Sequence, residues 1–163
     1  MRLGNQNLRI ASSITSVAGV SSAKFIETNG SGVLTKEGLN TTAFVYPVGF
    51  SGTEFNPLSI TTREQLTTVS VRWLQNVLTN GLSGAQLHQI LLTIARWLRT
   101  LAGACNLILR EWVPGVELPG FNRAKSGIAR YNSGTDWDLP ASNVLAANGS
   151  GPYTRQWSCF CTC

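Results

Sequence analysis

Charged residues are scarce in this sequence. Only 13% of its 163 residues are Asp, Glu, Lys or Arg, about half the ~25% usual in globular domains. No acidic residue lies between Glu64 and Glu111, a stretch that holds four arginines, so the formal net charge is +5. The basic residues are scattered, whereas nucleic-acid-binding proteins gather them on one face among aromatic residues. We therefore predict no nucleic-acid partner.

Histidine is almost absent, which limits the catalytic chemistry available. The single histidine, His88, has no carboxylate near it in the sequence, and a Ser-His-Asp arrangement needs an acid to orient the imidazole. Of the eight acidic residues only Asp136 and Asp138 are close together, so the sequence offers no clear carboxylate pair for glycoside hydrolysis. We predict that the protein is not an enzyme and that it has no catalytic residues.

Metal ligands are also few. Cys159, Cys161 and Cys163 form a Cys-x-Cys-x-Cys end, and Cys105 lies far from them in the sequence. Zinc sites usually take Cys-x2–4-Cys pairs from two separate knuckles, and a terminal tail lacks the outer partners that orient ligands. The sequence predicts no metal and no cofactor, with free or adventitiously oxidised thiols in a disordered tail at 158–163.

An aspartate pair offers one alternative metal site. Asp136 and Asp138 flank Trp137, and Asn132 and Gly134 could add oxygen ligands. Calcium takes six to eight oxygen ligands. The competing interpretation, which we favour, is a solvated turn around an anchoring Trp137.

Short β-type runs separated by turn residues dominate the chain, most clearly at 43–48 and 58–60 around a Gly/Pro/Asn-rich corner. Asn29-Gly30 predicts a hairpin turn between the runs at 23–26 and 32–34. Other predicted strands lie at 8–10, 69–73, 128–131 and 153–157. The length suits one domain that buries about 70% of its unfolded surface. We predict a mainly β, two-sheet antiparallel sandwich over residues 1–157.

The middle of the chain has a different periodicity. Apolar residues from Leu87 to Leu101 recur every three to four positions, Ser83 and Gln86 form a capping-box pattern, and Gly103 suits a helix end. This pattern predicts one amphipathic helix near 84–102 within a divergent insertion at 84–109. Arg96 and Arg99 would each cost ~2.5–3.5 kcal/mol in a bilayer, so we predict no transmembrane segment; a helix lying on a membrane surface is an alternative.

Five tryptophans, at positions 73, 97, 112, 137 and 157, allow two interpretations. Exposed rings could stack on sugars, whereas large aromatic residues also anchor β-sandwich cores. Three of the five lie in strand-like runs, which favours the core. Glycosylation sequons begin at Asn29, Asn40 and Asn148, as chance produces in a chain rich in Asn, Ser and Thr.

Several segments, in this order, resemble a region of large Bacteroidetes extracellular proteins that usually carry a C-terminal type IX secretion sorting domain. They are Leu3-Gly4-Asn5-Gln6-Asn7-Leu8, Lys24 to Leu34, Tyr46-Pro47-Val48-Gly49, Phe55-Asn56-Pro57-Leu58, Glu117 to Arg123 and Ile128-Ala129-Arg130-Tyr131. The similarity covers about 3–75 and 110–157. It implies an all-β, surface-exposed, non-catalytic module, and it brings no catalytic residues.

Two features depart from that pattern: the Leu- and Arg-rich stretch at 87–109 and the Cys-rich end. A stretch without acids is what a slip and recovery of the reading frame would produce, a hypothesis that resequencing the parent DNA tests.

No apolar segment follows Met1, so we expect no signal peptide here. We predict a structural or adhesive cell-surface module, a fragment of a larger exported protein, with neighbouring domains as partners. The alternative is a carbohydrate-binding module that uses exposed tryptophans.

Overall fold

The computed structural model describes residues 1–62, 67–74, 78–80, 83–85, 95–96, 106–112, 117, 120–127, 130–133, 136–138 and 144–158. At 67 and 74, in the strands at 95–96, 106–112, 130–133 and 136–138, and at 156–158, only the backbone is described. No helix among these residues is long and apolar enough to span a membrane.

Strands make up most of the regular structure in the described residues. They are β1 Leu8–Ile10, β2 Ile26–Glu27, β3 Leu34–Leu39, β4 Phe44–Tyr46, β5 Val48–Gly49, β6 Leu58–Thr62, β7 Thr67–Val71, β8 Trp73–Leu74, β9 Ala95–Arg96, β10 Asn106–Trp112, β11 Arg130–Ser133, β12 Asp136–Asp138 and β13 Tyr153–Ser158. A 3-10 turn spans Arg123–Lys125. The prediction of a mainly β fold is confirmed.

Two larger sheets organise these strands. One has the order β1-β3-β7 and the other β13-β10-β6-β4, and three further pairs are β2-β5, β8-β9 and β11-β12. The prediction of purely antiparallel pairing is wrong, because β1 runs parallel to β3 and β2 runs parallel to β5. Parallel pairing needs a long crossover connection, and the chain between Ile10 and Leu34 supplies one.

The predicted run at 43–48 divides into two strands at Pro47. Proline has no backbone N–H to give to a ladder, so β4 ends before it and β5 begins after it. The carbonyl oxygen of Pro47 still accepts a hydrogen bond of 2.9 Å from the backbone N–H of Ile26. The run therefore serves two sheets, with β4 beside β6 and β5 beside β2.

The hairpin predicted at Asn29-Gly30 is wrong. β2 pairs with β5, while β3 pairs with β1 and β7. Residues 29–33 instead lie along residues 4–8, where the backbone N–H of Gly32 donates to the carbonyl oxygen of Gly4 at 2.9 Å. Asn-Gly tolerates a turn, but a turn forms a hairpin only when its flanking strands pair with each other.

One apolar cluster contains side chains from both larger sheets. Leu34, Val69 and Val71 come from the first sheet, and Tyr46 and Ile60 come from the second. The Tyr46 hydroxyl donates a hydrogen bond of 3.1 Å to the carbonyl oxygen of Val69, which ties β4 to β7. Side chains in β6 alternate between buried and half-buried, as expected of a strand with one face on a core.

The second half of the chain joins the first through β10. This strand lies between β6 and β13 and is antiparallel to both. Ile108 stands opposite Ile60 on one side and Trp157 on the other, and Ile60 stands opposite Phe44. Residues 106–109, predicted to end the divergent insertion, are therefore part of the four-stranded sheet. Ser158, predicted to begin the tail, belongs to β13.

The predicted helix near 84–102 is not confirmed. Gly84 has a φ of +91°, which is not helical, and Ala95–Arg96 pairs antiparallel with Trp73–Leu74. Ala85 lies in the same bend, and residues 86–94 and 97–102 of the predicted helix lie outside the described residues. Local helix propensity is a weak preference that tertiary pairing often overrides, and the backbone groups of β8 offer such a pairing.

Candidate functional site

The histidine and the four cysteines lie outside the described part of the chain: His88, Cys105, Cys159, Cys161 and Cys163. Within the described residues, no group of three or more His, Cys, Asp or Glu side chains comes together.

The aspartate pair lies in a strand. Asp136 and Asp138 belong to β12, in register with Ser133 and Arg130 of β11. The predicted turn around Trp137 is wrong, because the backbone at Trp137 pairs with that at Tyr131 in this ladder. Asn132 lies at the irregularity between Tyr131 and Ser133, and Gly134 lies outside the described residues.

The tryptophans are mostly strand residues. Trp73 is only 4% exposed, and its backbone N–H donates a hydrogen bond of 2.9 Å to the hydroxyl of Thr28. This side chain is part of the core and cannot serve as a sugar platform. Trp112, Trp137 and Trp157 lie in β10, β12 and β13, and Trp97 lies outside the described residues.

An open groove of about 550 Å³ lies beside the 3-10 turn. Its lining is formed by Glu117, Gly120, Phe121, Asn122, Arg123 and Ala124. The Asn122 side chain accepts a hydrogen bond of 2.9 Å from the backbone N–H of Ala124. This cap holds the turn and thereby orients the side chains of Phe121 and Arg123 along the groove.

A bidentate ion pair forms one side of this groove. Arg123 donates from Nε and Nη2 to the two carboxylate oxygens of Glu117, each at 2.7 Å. Its guanidinium carbon lies 4.4 Å from the centre of the Tyr153 ring, within cation–π range. Hydrogen bonding to Glu117 holds the pKa of Arg123 above its ordinary value. The pair is locally neutral and presents fixed donors and acceptors beside aromatic rings.

Lys36 is the other unusual polar residue. It belongs to β3 yet is only 3% exposed. Its Nζ donates to the carbonyl oxygens of Ala11 at 3.1 Å and Ser12 at 3.3 Å, and also to that of Glu37. The ammonium lies 5.4 Å from the centre of the Phe44 ring. Lysine is rarely buried this completely unless its charge is compensated.

The electrostatics of Lys36 follow from this burial. Desolvation lowers its pKa, and the nearby carboxylate of Glu37 opposes this effect in part. The three carbonyl groups satisfy the three N–H donors of the ammonium. Lys36 therefore acts as a cross-link from β3 to the chain that follows β1.

Neither feature was predicted from the sequence. Position 36 shares a strand face with Leu34, but lysine is rarely buried, so its residue type argues against a place in the core. One side of the groove depends on Glu117 meeting Arg123, six positions later in the chain, and Arg123 in turn packs on Tyr153, which is distant in sequence. The sequence signal for the groove was limited to the turn residues Pro119-Gly120.

The comparisons with known proteins found no match. No protein-family model matches the sequence, and searches of the curated proteins and of the solved structures gave no similar protein. The resemblance to Bacteroidetes extracellular regions therefore stays a prediction.

Proposed function

We propose that this chain is a non-enzymatic structural or adhesive module of a larger exported protein, displayed outside the cell or on its surface. In this proposal the two larger sheets face each other as a β-sandwich, and neighbouring domains of the parent protein are the partners. The sandwich is supported by the alternating burial in β4 and β6 and by the cluster that contains side chains from both sheets.

The observation that carries the proposal is that the buried side chains form an apolar core. Leu34, Tyr46, Val48, Ile60 and Val69 are all fully buried. The single hydroxyl of this group, that of Tyr46, hydrogen-bonds across the core. These residues maintain a shape, which is the physical task of a structural module.

Protease treatment of intact cells of the source organism tests the proposed location. An antibody against residues 1–62 should lose its signal in blots after proteinase treatment of whole cells, while a cytoplasmic marker persists. Survival of the signal until the cells are lysed would contradict the proposal.

A carbohydrate-binding function is the second candidate, and the groove beside Arg123 favours it. The half-exposed ring of Phe121 can pack on the C–H face of a sugar. Glu117 and Asn122 present oxygen and nitrogen atoms to hydroxyl groups. The groove volume falls in the range of ligand sites, and its open form suits a chain-like glycan.

Glycan-array binding with matched variants tests this second function. F121A and E117Q should each lower the signal at least fivefold, whereas K24A, an exposed substitution elsewhere, should leave it unchanged. W137A tests the tryptophan-based version of the same function. Equal binding by wild type and all variants would rule out this groove.

A further inference from the structure

We propose that two copies of this chain form a dimer by exchanging their first twelve residues. In the dimer, residues 1–12 of each copy occupy the site on the other copy that they occupy on their own chain in the monomer. We call residues 1–12 the N-terminal segment, residues 13–24 the connector, and the surface formed by Glu27, residues 29–33 and β3 the acceptor site. This assembly goes beyond the proposed function and does not depend on it.

The N-terminal segment is attached to the acceptor site like an added edge strand. The backbone N–H of Leu3 donates to the carbonyl oxygen of Glu27 at 3.0 Å, and that of Leu8 donates to the carbonyl oxygen of Val33 at 2.9 Å. The Asn7 side chain accepts from the backbone N–H of Val33 at 3.1 Å. Main-chain bonding of this kind is how an extended segment from a second chain augments a sheet.

Two glycines shape the acceptor site. A Cβ on Gly30 would approach the carbonyl oxygen of Gly4, and a Cβ on Gly32 that of Gln6, both closer than 3.0 Å. The backbones therefore touch along this line. The acceptor site therefore fits an extended chain that runs along Gly30 and Gly32, whichever copy supplies that chain.

Apolar side chains supply most of the binding free energy. Leu3 and Ile10 are each 9% exposed and belong to the core cluster, and Leu8 packs against it. In β1, Leu8 to Ile10 run parallel to Leu34 to Lys36. Because every copy carries the same segment and the same acceptor site, the exchanged dimer keeps these contacts and is symmetric.

The connector has the properties of an exchange hinge. Eleven of its twelve residues are exposed, and only Val17 is half-buried. Gly19 has a φ of +72°, which marks a bend. Fully extended, twelve residues span roughly 40 Å, enough to carry the segment to a neighbouring copy.

Lys36 holds the junction between segment and connector. Its ammonium binds the carbonyl oxygens of Ala11 and Ser12, the last two residues of the segment. In the exchanged dimer each Lys36 binds the same two carbonyls of the other copy. The contacts of Lys36 therefore stabilise the inserted segment equally, whether it comes from the same copy or from the other one.

An ion pair between the N-terminal segment and the acceptor site allows a test of the exchange. Nε of Arg9, on the segment, lies 3.0 Å from a carboxylate oxygen of Glu37, on β3. The variants R9E and E37R each bring like charges together within one chain. In an exchanged heterodimer of the two variants, both contacts become opposite-charge pairs.

The experiment mixes R9E and E37R in equal amounts at high concentration, with brief warming, and measures species by native mass spectrometry. We expect dimers of two 17.6 kDa chains, in which the heterodimer exceeds each homodimer about tenfold at low salt. This preference should fade at about 1 M salt, where screening is strong. The matched control pair is R123E with E117R, whose ion pair lies outside the segment, and it should show no such preference.

Two outcomes overturn the proposal: a mixture that stays monomeric, or a heterodimer preference in the control pair as well. A second measurement, made on the wild-type chain, tests the proposal even if the variants misfold. A fluorescent peptide of residues 1–12 should bind the full wild-type chain, detected by anisotropy, and the same peptide carrying I10D should bind at least tenfold more weakly. Equal binding of both peptides would also overturn the proposal.

Discussion

Tyr46 of β4 donates its hydroxyl hydrogen to the carbonyl oxygen of Val69 in β7, at 3.1 Å, inside the buried core. Both side chains are fully buried. The bond joins a strand of the four-stranded sheet to a strand of the three-stranded sheet, so it links the two larger sheets.

Replacing Tyr46 by Phe should lower the free energy of unfolding by about 1–2 kcal/mol, because the ring is kept while the buried Val69 carbonyl loses a donor. Urea denaturation measures this change. The matched control is V45T, since Val45 is 50% exposed and should change stability by less than about 0.5 kcal/mol. Equal stability of Y46F and wild type would mean that this bond does not hold the sheets.

Replacing Gly32 by Ala should destabilise the protein by about 1–3 kcal/mol, because the added methyl group forces apart two backbones in contact. G52A is the control, since its Cβ would meet only the flexible carboxylate of Glu27, at 3.1 Å. Thermal unfolding followed by circular dichroism distinguishes the two variants. A G32A protein as stable as G52A would contradict the close approach at Gln6.

Lys36 should make the stability depend on pH in the alkaline range. Its pKa is lowered in the folded state, so the unfolded chain binds more protons between the folded pKa and about 10.5. Stability then rises with pH across that window, and the destabilisation caused by the buried charge persists at every pH below it. The difference in unfolding free energy between wild type and K36M, measured from pH 7 to 11, should therefore increase in favour of wild type.

At neutral pH, K36M should still be less stable than wild type by about 1–3 kcal/mol, because the variant leaves the carbonyls of Ala11 and Ser12 without their donor. K24M, which changes an exposed lysine, controls for the loss of one positive charge. A pH-independent difference between K36M and wild type would show that Lys36 titrates as it does in the unfolded chain.

Arg155 should matter more to stability than Arg123. Arg155 is 7% exposed, and its Nε donates a hydrogen bond of 3.0 Å to the carbonyl oxygen of Ser126. R155M should cost about 1.5–3 kcal/mol, as expected for a lost charge-assisted bond. R123M, which removes a solvent-exposed ion pair, should cost less than R155M. Denaturant midpoints give the comparison, and the reverse order would contradict the described packing of β13.

Strand positions could be predicted well where turn residues bound an apolar run. β1 has the predicted bounds, and the run at 58–60 is extended to Thr62 by pairing with β10. Strand partners could not be predicted. The runs at 23–26 and 32–34, for example, are neighbours in sequence, yet each pairs with a different strand. Partner choice depends on contacts between distant residues, which no local pattern contains.

The candidate site was largely beyond sequence analysis. Its chemistry comes from ordinary surface residue types, such as Glu117 and Arg123, which lie six positions apart and meet only in the folded chain. Lys36 shows the same limit in the core: the predicted run ends at residue 34, and only the tertiary packing buries Lys36 beneath Ala11 and Ser12.

Composition and local pattern alone determined that this protein is built mainly of short strands, because turn residues and proline act on the backbone nearest to them. Only the tertiary structure decided which strands pair in parallel, that Ala95–Arg96 forms a strand, and that the N-terminal segment lies against Gly30 and Gly32. Those outcomes depend on burying apolar surface and satisfying backbone groups between residues far apart in the chain. That free energy exceeds the small local preferences that a sequence displays.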